Sequence, residues 1–216
     1  MLQVKDSMAR EVTTLSPGDT AGDALALCRE RRIRHLPVLK GGRLVGIVSD
    51  RDLRSSTPAF GDPDRAAALQ RVLVEKVMAR EVVTADPDDP IEQAANTMRE
   101  RKIGCLPVMQ GDELVGILTT SDVMEALVYL VGANEPGSRM EVAVPDRPGA
   151  LAGAAGVFGM CGINIVSAAM GAVLEPEEAG ASRERVVVFR VDTIDTNEAV
   201  GYLEEAGYSV LWPPKP

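Results

Sequence analysis

The chain contains an internal repeat. Residues 4–53 align with residues 74–123 at a constant offset of 70 without a gap, and 23 of the 50 aligned pairs are identical. The identities include Met8 through Val12, Leu36 through Val38 and Leu44 through Ile47 with their partners. A repeat this close predicts one structural unit used twice, with cores that fuse or face each other across a pseudo-twofold axis. Two related units create two related clefts, so the repeat favours binding over catalysis.

Composition limits the class of protein. The chain has 216 residues, 45% apolar and 25% charged, as in an ordinary soluble globular protein. No apolar run approaches the roughly 20 residues that span a bilayer, and residues 1–6 lack the layout of a secretion signal. We therefore expect a cytoplasmic protein that does not insert into a membrane. The net charge of −9 and the absence of a basic tail also argue against nucleic-acid binding.

Metal chemistry and nucleophilic chemistry have little support. Cys28, Cys105 and Cys161 are far apart, and His35 is the single histidine, so neither a zinc site nor any other metal site is predicted. Reduced thiols, buried or half-buried, are the expected state of the cysteines. His35 has no serine, cysteine or carboxylate partner that the sequence identifies, so we predict no catalytic residue and no enzyme activity.

Both copies of the repeat predict the element order β-α-β-β-α. Asp19 or Thr20 can cap the first helix, and Gly41-Gly42 is a two-residue hairpin signal. In the first copy the elements are strand 12–15, helix 21–31, strands 36–39 and 44–48, and a helix from about residue 50. In the second copy they are strand 82–85, helix 91–101, strands 106–109 and 114–118, and helix 121–131.

The rest of the chain predicts a linker and a third domain. Residues 54–64 have loop composition, a helix is expected over 66–74, and 132–137 form a second linker. Beyond it, the sequence predicts the order βαββαβ of a ferredoxin-like sandwich. Its elements are strand 139–144, helix 150–160, extended segment 163–174, acidic hairpin loop 175–183, strand 186–191, helix 197–206 and strand 208–212. The predicted class is α/β (α+β), with domains over 1–57, 74–132 and 138–213 and a helical linker over 58–73. So small a half-covered sheet gains by pairing with a second copy.

The segment that most strongly indicates a function lies at the end of each copy. It consists of glycine, two apolar residues, a hydroxyl residue, two variable residues and aspartate. The hydroxyls are Ser49 and Thr119, at a predicted helix start where free N–H groups can hold a phosphate. The aspartates, Asp52 and Asp122, can accept two hydrogen bonds from the hydroxyls of a ribose. Alternatively, the hydroxyls are only helix caps and the aspartates only favour the helix dipole. Retention of both groups in both copies favours binding.

Further candidates form a second wall suited to a purine base, because strand ends combine apolar atoms with backbone amides. Taken alone, most of these residues would be ordinary core. They are Val12, Thr13, Thr14, Arg34, His35, Leu36 and Pro37 in the first copy, and Val82, Val83, Thr84, Gly104, Cys105, Leu106 and Pro107 in the second. Arg51, in the closing segment of the first copy, is a candidate for binding phosphate.

On these residues, positions 1 to about 131 resemble a tandem pair of CBS domains, modules that sense adenosine-containing ligands. The resemblance is carried by "HLPV" and "CLPV", by "LVGI" and by the Gly-x-x-Ser/Thr-x-x-Asp ending. It implies that Asp52 and Asp122 bind ribose and that Ser49 and Thr119 bind phosphate. It also implies an adenine nucleotide (AMP, ADP or ATP) as a regulatory ligand, without a cofactor.

Residues 138–213 resemble an ACT domain, a small regulatory fold that commonly binds amino acids between subunits. The match is Asp146 through Leu151, followed by Gly162-Ile163-Asn164-Ile165. Pro148-Gly149 would tighten a turn and expose helix amides to a carboxylate ligand. A turn without a ligand, in a domain that only dimerises, is the alternative, and the long acidic loop departs from the compact pattern. Candidate ligand residues are Asp146, Pro148, Gly149, Ala150, Leu151, Asn164 and Ile165.

A CBS pair followed by an ACT domain is the arrangement of acetoin-utilisation regulatory (AcuB-type) proteins. The resemblance implies a non-catalytic, homodimeric sensor that binds an adenosine-type molecule, has an amino acid as a candidate ligand at the ACT domain and acts on a partner protein that the sequence does not identify. A regulatory subunit of a separate-chain enzyme and an oligomerisation scaffold with degenerate pockets stay open as alternatives.

The two copies differ in charge at the candidate sites. The first offers Arg34, His35 and Arg51 where the second has Gly104, Cys105 and Ser121. Because point charges and guanidinium groups favour phosphate, we expect the first site to prefer a phosphorylated nucleotide. Contacts across the copies, for example from Arg31 or Arg101, would reduce this difference.

Overall fold

The computed structural model describes residues 2–56, 64–175 and 182–214, with the backbone alone at Arg65 and Ala66. The chain forms two compact units, Met1–Ala126 and Leu127–Pro216. The first unit contains both copies of the repeat. Most of the predicted loop over 54–64 and most of the acidic loop over 175–183 lie outside the described residues.

The first unit confirms most of the predicted helices and hairpins. Thr20 caps the first long helix by accepting a hydrogen bond from the Asp23 amide at 3.1 Å. Gly41 and Gly42 both have positive φ, as a tight two-residue hairpin turn requires. The elements are α1 (Val4–Ser7), α2 (Ala21–Arg31), β1 (His35–Lys40), β2 (Arg43–Ser49), α3 (Asp50–Ser55), α4 (Arg65–Arg71), a 3-10 turn (Val74–Lys76), α5 (Ile91–Arg101), β3 (Cys105–Gln110), β4 (Glu113–Thr119) and α6 (Thr120–Leu130).

The predicted first strand of each copy is wrong. Instead of strands over 12–15 and 82–85, the structure has a single parallel bridge from Leu15 to Val38 and another from Ala85 to Val108. Leu15 donates to Pro37 and accepts from Leu39, which completes its backbone bonding to β1. The chain then turns at once, because the Asp19 carboxylate accepts from the Ser16 amide at 2.7 Å. The named strands of this unit therefore form two antiparallel hairpins, β1–β2 and β3–β4.

Each copy completes the core of the other. Val74 and Met78, which begin the second copy, pack in the core of the first, and Val4 and Met8 pack in the core of the second. The backbone supports the same exchange, since the Val74 amide donates to the Asp19 carbonyl at 2.8 Å and the Val4 amide donates to the Asp89 carbonyl at 3.0 Å. The two copies are therefore fused into one body, as the repeat allowed.

The second unit has the predicted βαββαβ order. Its sheet has the strand order β6-β7-β5-β8 with every pair antiparallel, which is the ferredoxin-like arrangement. Both helices pack on one core with the sheet, and Phe158 and Phe189 meet there with ring centroids 5.0 Å apart. The elements are β5 (Ser138–Pro145), α7 (Ala150–Met160), β6 (Ile165–Leu174), β7 (Glu184–Val191), α8 (Asn197–Glu205) and β8 (Ser209–Trp212).

Candidate functional site

The first unit contains a cleft of about 460 Å³, a volume in the range of small-molecule sites. Ten of its lining residues are among those predicted from the sequence: Arg34, His35, Ser49, Arg51, Asp52, Val82, Val83, Gly104, Cys105 and Pro107. Seven others were not predicted as site residues: Ile47, Asp50, Ala79, Glu81, Lys102, Ile103 and Thr120.

The cleft is built from both copies of the repeat. The first copy provides Ser49 and Asp52 at the end of β2, and the second provides the half-buried Val82 and Val83 on the opposite wall. The sequence suggested one set of candidate residues for each copy. This cleft instead combines candidate residues from both copies. No alignment of the repeat with itself could have found Lys102 or Glu81, because their relation to Asp52 depends on how the copies pack.

The signature residues form a capping box at the start of α3. The Asp52 Oδ2 atom accepts from the Ser49 amide at 3.0 Å and from the Ser49 hydroxyl at 2.6 Å, while the Asp52 amide donates to the Ser49 Oγ atom at 3.2 Å. Thr119 and Asp122 make the same three bonds at the start of α6, at 2.6, 2.7 and 3.4 Å. The helix-cap interpretation is therefore confirmed in both copies.

Helix capping uses only one of the two carboxylate oxygens of each aspartate. All of these carboxylate bonds use Oδ2, and within the described residues the Oδ1 atoms of Asp52 and Asp122 make no hydrogen bond. One carboxylate oxygen in each copy is thus available to accept hydrogen bonds from a ligand. Cap and ligand contact can coexist on one side chain.

The rim of the cleft lies where the two copies meet. The Arg34 carbonyl accepts from the Asp50 amide at 2.9 Å, and the Gly104 carbonyl accepts from the Thr120 amide at 3.1 Å, so each rim residue is tied to the helix start of its own copy. The His35 ring reaches across to the second copy, where its Cε1 and Nε2 atoms lie 3.1 Å from the position a Cβ on Gly104 would occupy. The missing side chain at Gly104 leaves space for this imidazole.

Burial controls the ionisation of two cleft residues. Burial lowers the pKa of His35 below 6.5, and the neighbouring Asp50 carboxylate opposes this shift only in part. Burial also raises the pKa of the Cys105 thiol to about 12. Cys105 is therefore a protonated, unreactive wall residue at neutral pH, in agreement with the predicted reduced thiols.

Three side chains give the cleft its positive charge. Arg34, Arg51 and Lys102 line it, and across the described parts of the chain none of the three forms an ion pair or a side-chain hydrogen bond. Asp50, by contrast, is paired with Arg54. These cations can therefore bind an anionic ligand without first breaking an ion pair.

The remaining nucleotide-site candidates do not line this cleft. Leu36 and Leu106 are fully buried in the two cores, and Pro37 is buried in β1. Val12 and Thr13 are the repeat partners of Val82 and Val83, and Thr119 and Asp122 are those of Ser49 and Asp52. Thr14 and Thr84 are a further repeat pair outside the lining.

The candidate residues of the second unit are exposed, packed in the core or already paired with another polar group. Asp146 forms an ion pair with Arg185 at 3.2 Å, and Pro148 and Leu151 are exposed. Gly149 begins α7 with φ of 85°, so a glycine is needed there, and Ala150 packs in the core with Ile165 against it. The Asn164 amide donates to the Asp192 carboxylate at 3.0 Å. Among described residues, no hydrogen bond or ion pair links the Asp146–Leu151 turn to Asn164.

The described residues contain neither a cluster of metal ligands nor a membrane-spanning helix. No set of three or more histidine, cysteine, aspartate or glutamate side chains there is grouped so as to hold a metal ion. No helix in the same residues has the length and apolar character needed to cross a bilayer.

Comparison with known proteins identifies the first unit. The CBS domain family matches residues 4–57 and 74–129, each match covering one copy of the repeat. The chain belongs to the CBS domain family. The tandem CBS pair predicted from the sequence is thereby confirmed.

Solved CBS structures resemble this chain over the pair. A Vibrio cholerae protein described as an acetoin utilization protein (AcuB) is 34% identical, with a TM-score of 0.53 over 62% of this chain and 96% of that one. The CBS pair of protein MJ0100, in complex with 5′-methylthioadenosine and S-adenosyl-L-methionine, is 26% identical, with a TM-score of 0.51 over 62% and 99%. CBSX2 in complex with AMP is 27% identical, with a TM-score of 0.52 over 60% and 99%.

Proposed function

We propose that this protein is a non-catalytic, cytoplasmic regulator whose CBS pair binds an adenine nucleotide in the cleft between its copies. The observation that carries the proposal is Asp52, which lines a cavity of about 460 Å³ that also holds unpaired cations, and whose Oδ1 atom makes no hydrogen bond among the described residues. The adenosine-type ligands of MJ0100 and CBSX2 support the same class of ligand.

Each part of an adenine nucleotide has a suitable partner in the cleft. The ribose hydroxyls can donate to the Asp52 Oδ1 atom. Val82, Val83 and Ile103 offer apolar surface to the base, which stacks well on such walls. Arg34 and Arg51 can then contact the phosphate, with guanidinium geometry that suits its oxygens.

The second unit, in this proposal, is an ACT-type module that holds two copies of the chain together. Its two sheet edges differ: β8 has four residues and is followed by Pro213 and Pro214, whereas β6 has ten residues with neither a charge nor a proline. A long, uncharged edge strand pairs readily with another strand, and short or proline-flanked edges do not. Pairing of β6 with β6 of a second copy about a twofold axis would give a closed homodimer. An amino acid bound near Pro148-Gly149 belongs to the same proposal.

The scaffold alternative is favoured by one observation. Ser49 and Asp52 already satisfy each other as a capping box, so the cleft is stable without a ligand. In that case the pockets are degenerate, and the chain regulates a partner protein, such as a separate-chain enzyme, by assembly alone.

Ligand binding decides between these functions. We would measure thermal shifts of the full chain with AMP, ADP, ATP, S-adenosylmethionine, NADH and the amino acids. A ligand at about 100 times its dissociation constant adds roughly 2.7 kcal/mol to the stability of the native state, which is readily detected. Asp52→Asn keeps an oxygen for the cap but introduces an amide in place of the charged ribose acceptor. Asp112→Asn, at an exposed turn, is the matched control.

A shift with an adenine nucleotide that is reduced in Asp52→Asn and retained in Asp112→Asn is the expected result. Absence of a shift with every ligand, in a folded dimer, would reject the nucleotide sensor and favour the scaffold.

A further inference from the structure

We propose that the two repeat-related clefts of the CBS pair differ in ligand class, and that the cleft of Ser49 and Asp52 requires a phosphorylated nucleotide. Its counterpart at Thr119 and Asp122 accepts the nucleoside without a phosphate. This difference deepens the proposed function and rests on it, since it assumes that the clefts bind adenosine-type ligands.

The first cleft collects cations from both copies. Arg34 and Arg51 come from the first copy, and Lys102 comes from the C-terminal cap of α5 in the second. Lys102 has φ of 55°, a left-handed conformation that glycine adopts at lower cost. These three side chains line one cavity and have no ion-pair partner among the described residues.

The offset of 70 residues defines the counterpart. In place of Arg51 it has Ser121, and in place of Lys102 it has Arg32, which has the same left-handed conformation with φ of 54°. Arg34 corresponds to Gly104, and both line the first cleft, so this pair lies at the boundary of the copies. Because Gly104 also lines the first cleft, the same offset assigns its partner Arg34 to the counterpart as well. The counterpart thus lacks an equivalent of Arg51 and has one cation fewer than the first cleft.

The acidic residues do not cancel this difference. Glu81 and Asp52 of the first cleft have acidic partners in Glu11 and Asp122, so these positions contribute equally to both. Asp50 and its partner Thr120 both line the first cleft, so the offset assigns this pair to both clefts, and Asp50 is already paired with Arg54. The first cleft therefore has the larger excess of positive charge available to a ligand.

A charge difference of this kind distinguishes a ligand that has a phosphate group from one that lacks it. The phosphate group of AMP is an anion that a guanidinium group binds with two parallel hydrogen bonds, and adenosine lacks it. In the first cleft, AMP should gain these contacts over adenosine. In the counterpart, which has Ser121 in place of Arg51, the shared ribose contact to aspartate should contribute more of the affinity, and AMP should gain less over adenosine.

Exchange of the residues between copies tests the proposal. Arg51→Ser gives the first cleft the residue of the second, and Ser121→Arg is the reverse exchange. Each is measured by calorimetric titration of the full chain with AMP and with adenosine. Asp122→Asn isolates the first cleft and Asp52→Asn isolates the second, and both keep an oxygen that can cap the helix.

With the first cleft isolated, AMP should bind at least about tenfold more tightly than adenosine, and Arg51→Ser should remove most of that preference. With the second cleft isolated, the preference for AMP should be smaller, and Ser121→Arg should increase it. Equal affinity of AMP and adenosine at the first cleft, or an unchanged preference in Arg51→Ser, would overturn this inference and leave the nucleotide-binding proposal intact. If neither ligand binds in any variant, the proposed function fails together with the inference.

Discussion

At the residue scale, Gly46 and its repeat partner Gly116 leave no space for a side chain. A Cβ on Gly46 would lie 2.5 Å from the Met78 sulfur and 3.0 Å from the Ala79 carbonyl oxygen. A Cβ on Gly116 would lie 2.4 Å from the Met8 sulfur and 3.1 Å from the Ala9 carbonyl oxygen. The identical "LVGI" segments are therefore explained by the strand of each copy touching the opening segment of the other.

We expect Gly46→Ala to destabilise the protein by about 1–3 kcal/mol, because Met78 and the Ala79 backbone must both move to admit a methyl group. Gly156→Ala is the matched control, since nothing lies within 4 Å of its Cβ position in α7 and alanine favours a helix by up to about 1 kcal/mol. Urea unfolding of both variants measures the difference. Equal stability of the two variants would contradict the packing described here.

His35 gives the protein a predicted dependence on pH. Because burial lowers its native pKa below 6.5, the unfolded chain takes up a proton at this residue before the native protein does. Stability should be complete above pH 6.5 and should fall as the pH drops from that value toward the lower native pKa. Urea unfolding between about pH 7.5 and about pH 5.5 measures this loss, which His35→Gln should reduce. An identical pH profile in the variant would show that His35 is not responsible.

At the scale of elements, β6 and α6 both expose large apolar side chains. Met170 on β6 is 54% exposed, and Met124, Leu127 and Tyr129 on α6 are each more than half exposed. Apolar surface of this extent commonly marks an interface. The two elements make different predictions about which contact holds the proposed homodimer.

We expect Met170→Lys to convert the dimer to a monomer, because a charge on an edge strand opposes pairing with a second strand. The size of the particle is measured by sedimentation or light scattering. Tyr129→Lys is the comparison, since its position on α6 should leave a β6–β6 dimer intact. Dissociation by Tyr129→Lys alone would place the interface on the helix instead.

At the scale of the whole molecule, each copy of the repeat contributes its opening segment to the core of the other copy. Val4 and Val74 are both fully buried, each in the core of the copy to which it does not belong in sequence. Neither copy has a complete core by itself. The stable unit is the pair.

A fragment of residues 1–131 should therefore unfold cooperatively, whereas residues 1–57 should be unfolded as a monomer, because the shorter fragment lacks Val74 and Met78 and leaves Val4 and Met8 without their core. Two copies of the short fragment can exchange these segments, so any structure it gains should depend on concentration. Circular dichroism at several concentrations tests this. A cooperatively folded monomer of residues 1–57 would contradict the exchange.

Periodicity and local chemistry alone predicted much of the structure. Helices over 21–31 and 91–101, the Gly41-Gly42 hairpin and the βαββαβ order of the second unit appear as expected, because capping, turn and alternation signals lie within a few residues of each other. The strands expected at 12–15 and 82–85 are single bridges, since β propensity does not tell how many residues find a partner.

The sequence by itself determined that one unit is used twice, that each copy ends in a hydroxyl and an aspartate, and that these can cap a helix. All of these depend on residues close together in the chain. Only the tertiary structure decided that Asp52 lines one cleft with Val82 and Lys102, that His35 crosses to Gly104 and that Val4 and Val74 exchange cores. The physical reason is that such contacts depend on how the surfaces of two related copies pack, and the repeat has the same sequence whether its copies fold separately or into each other.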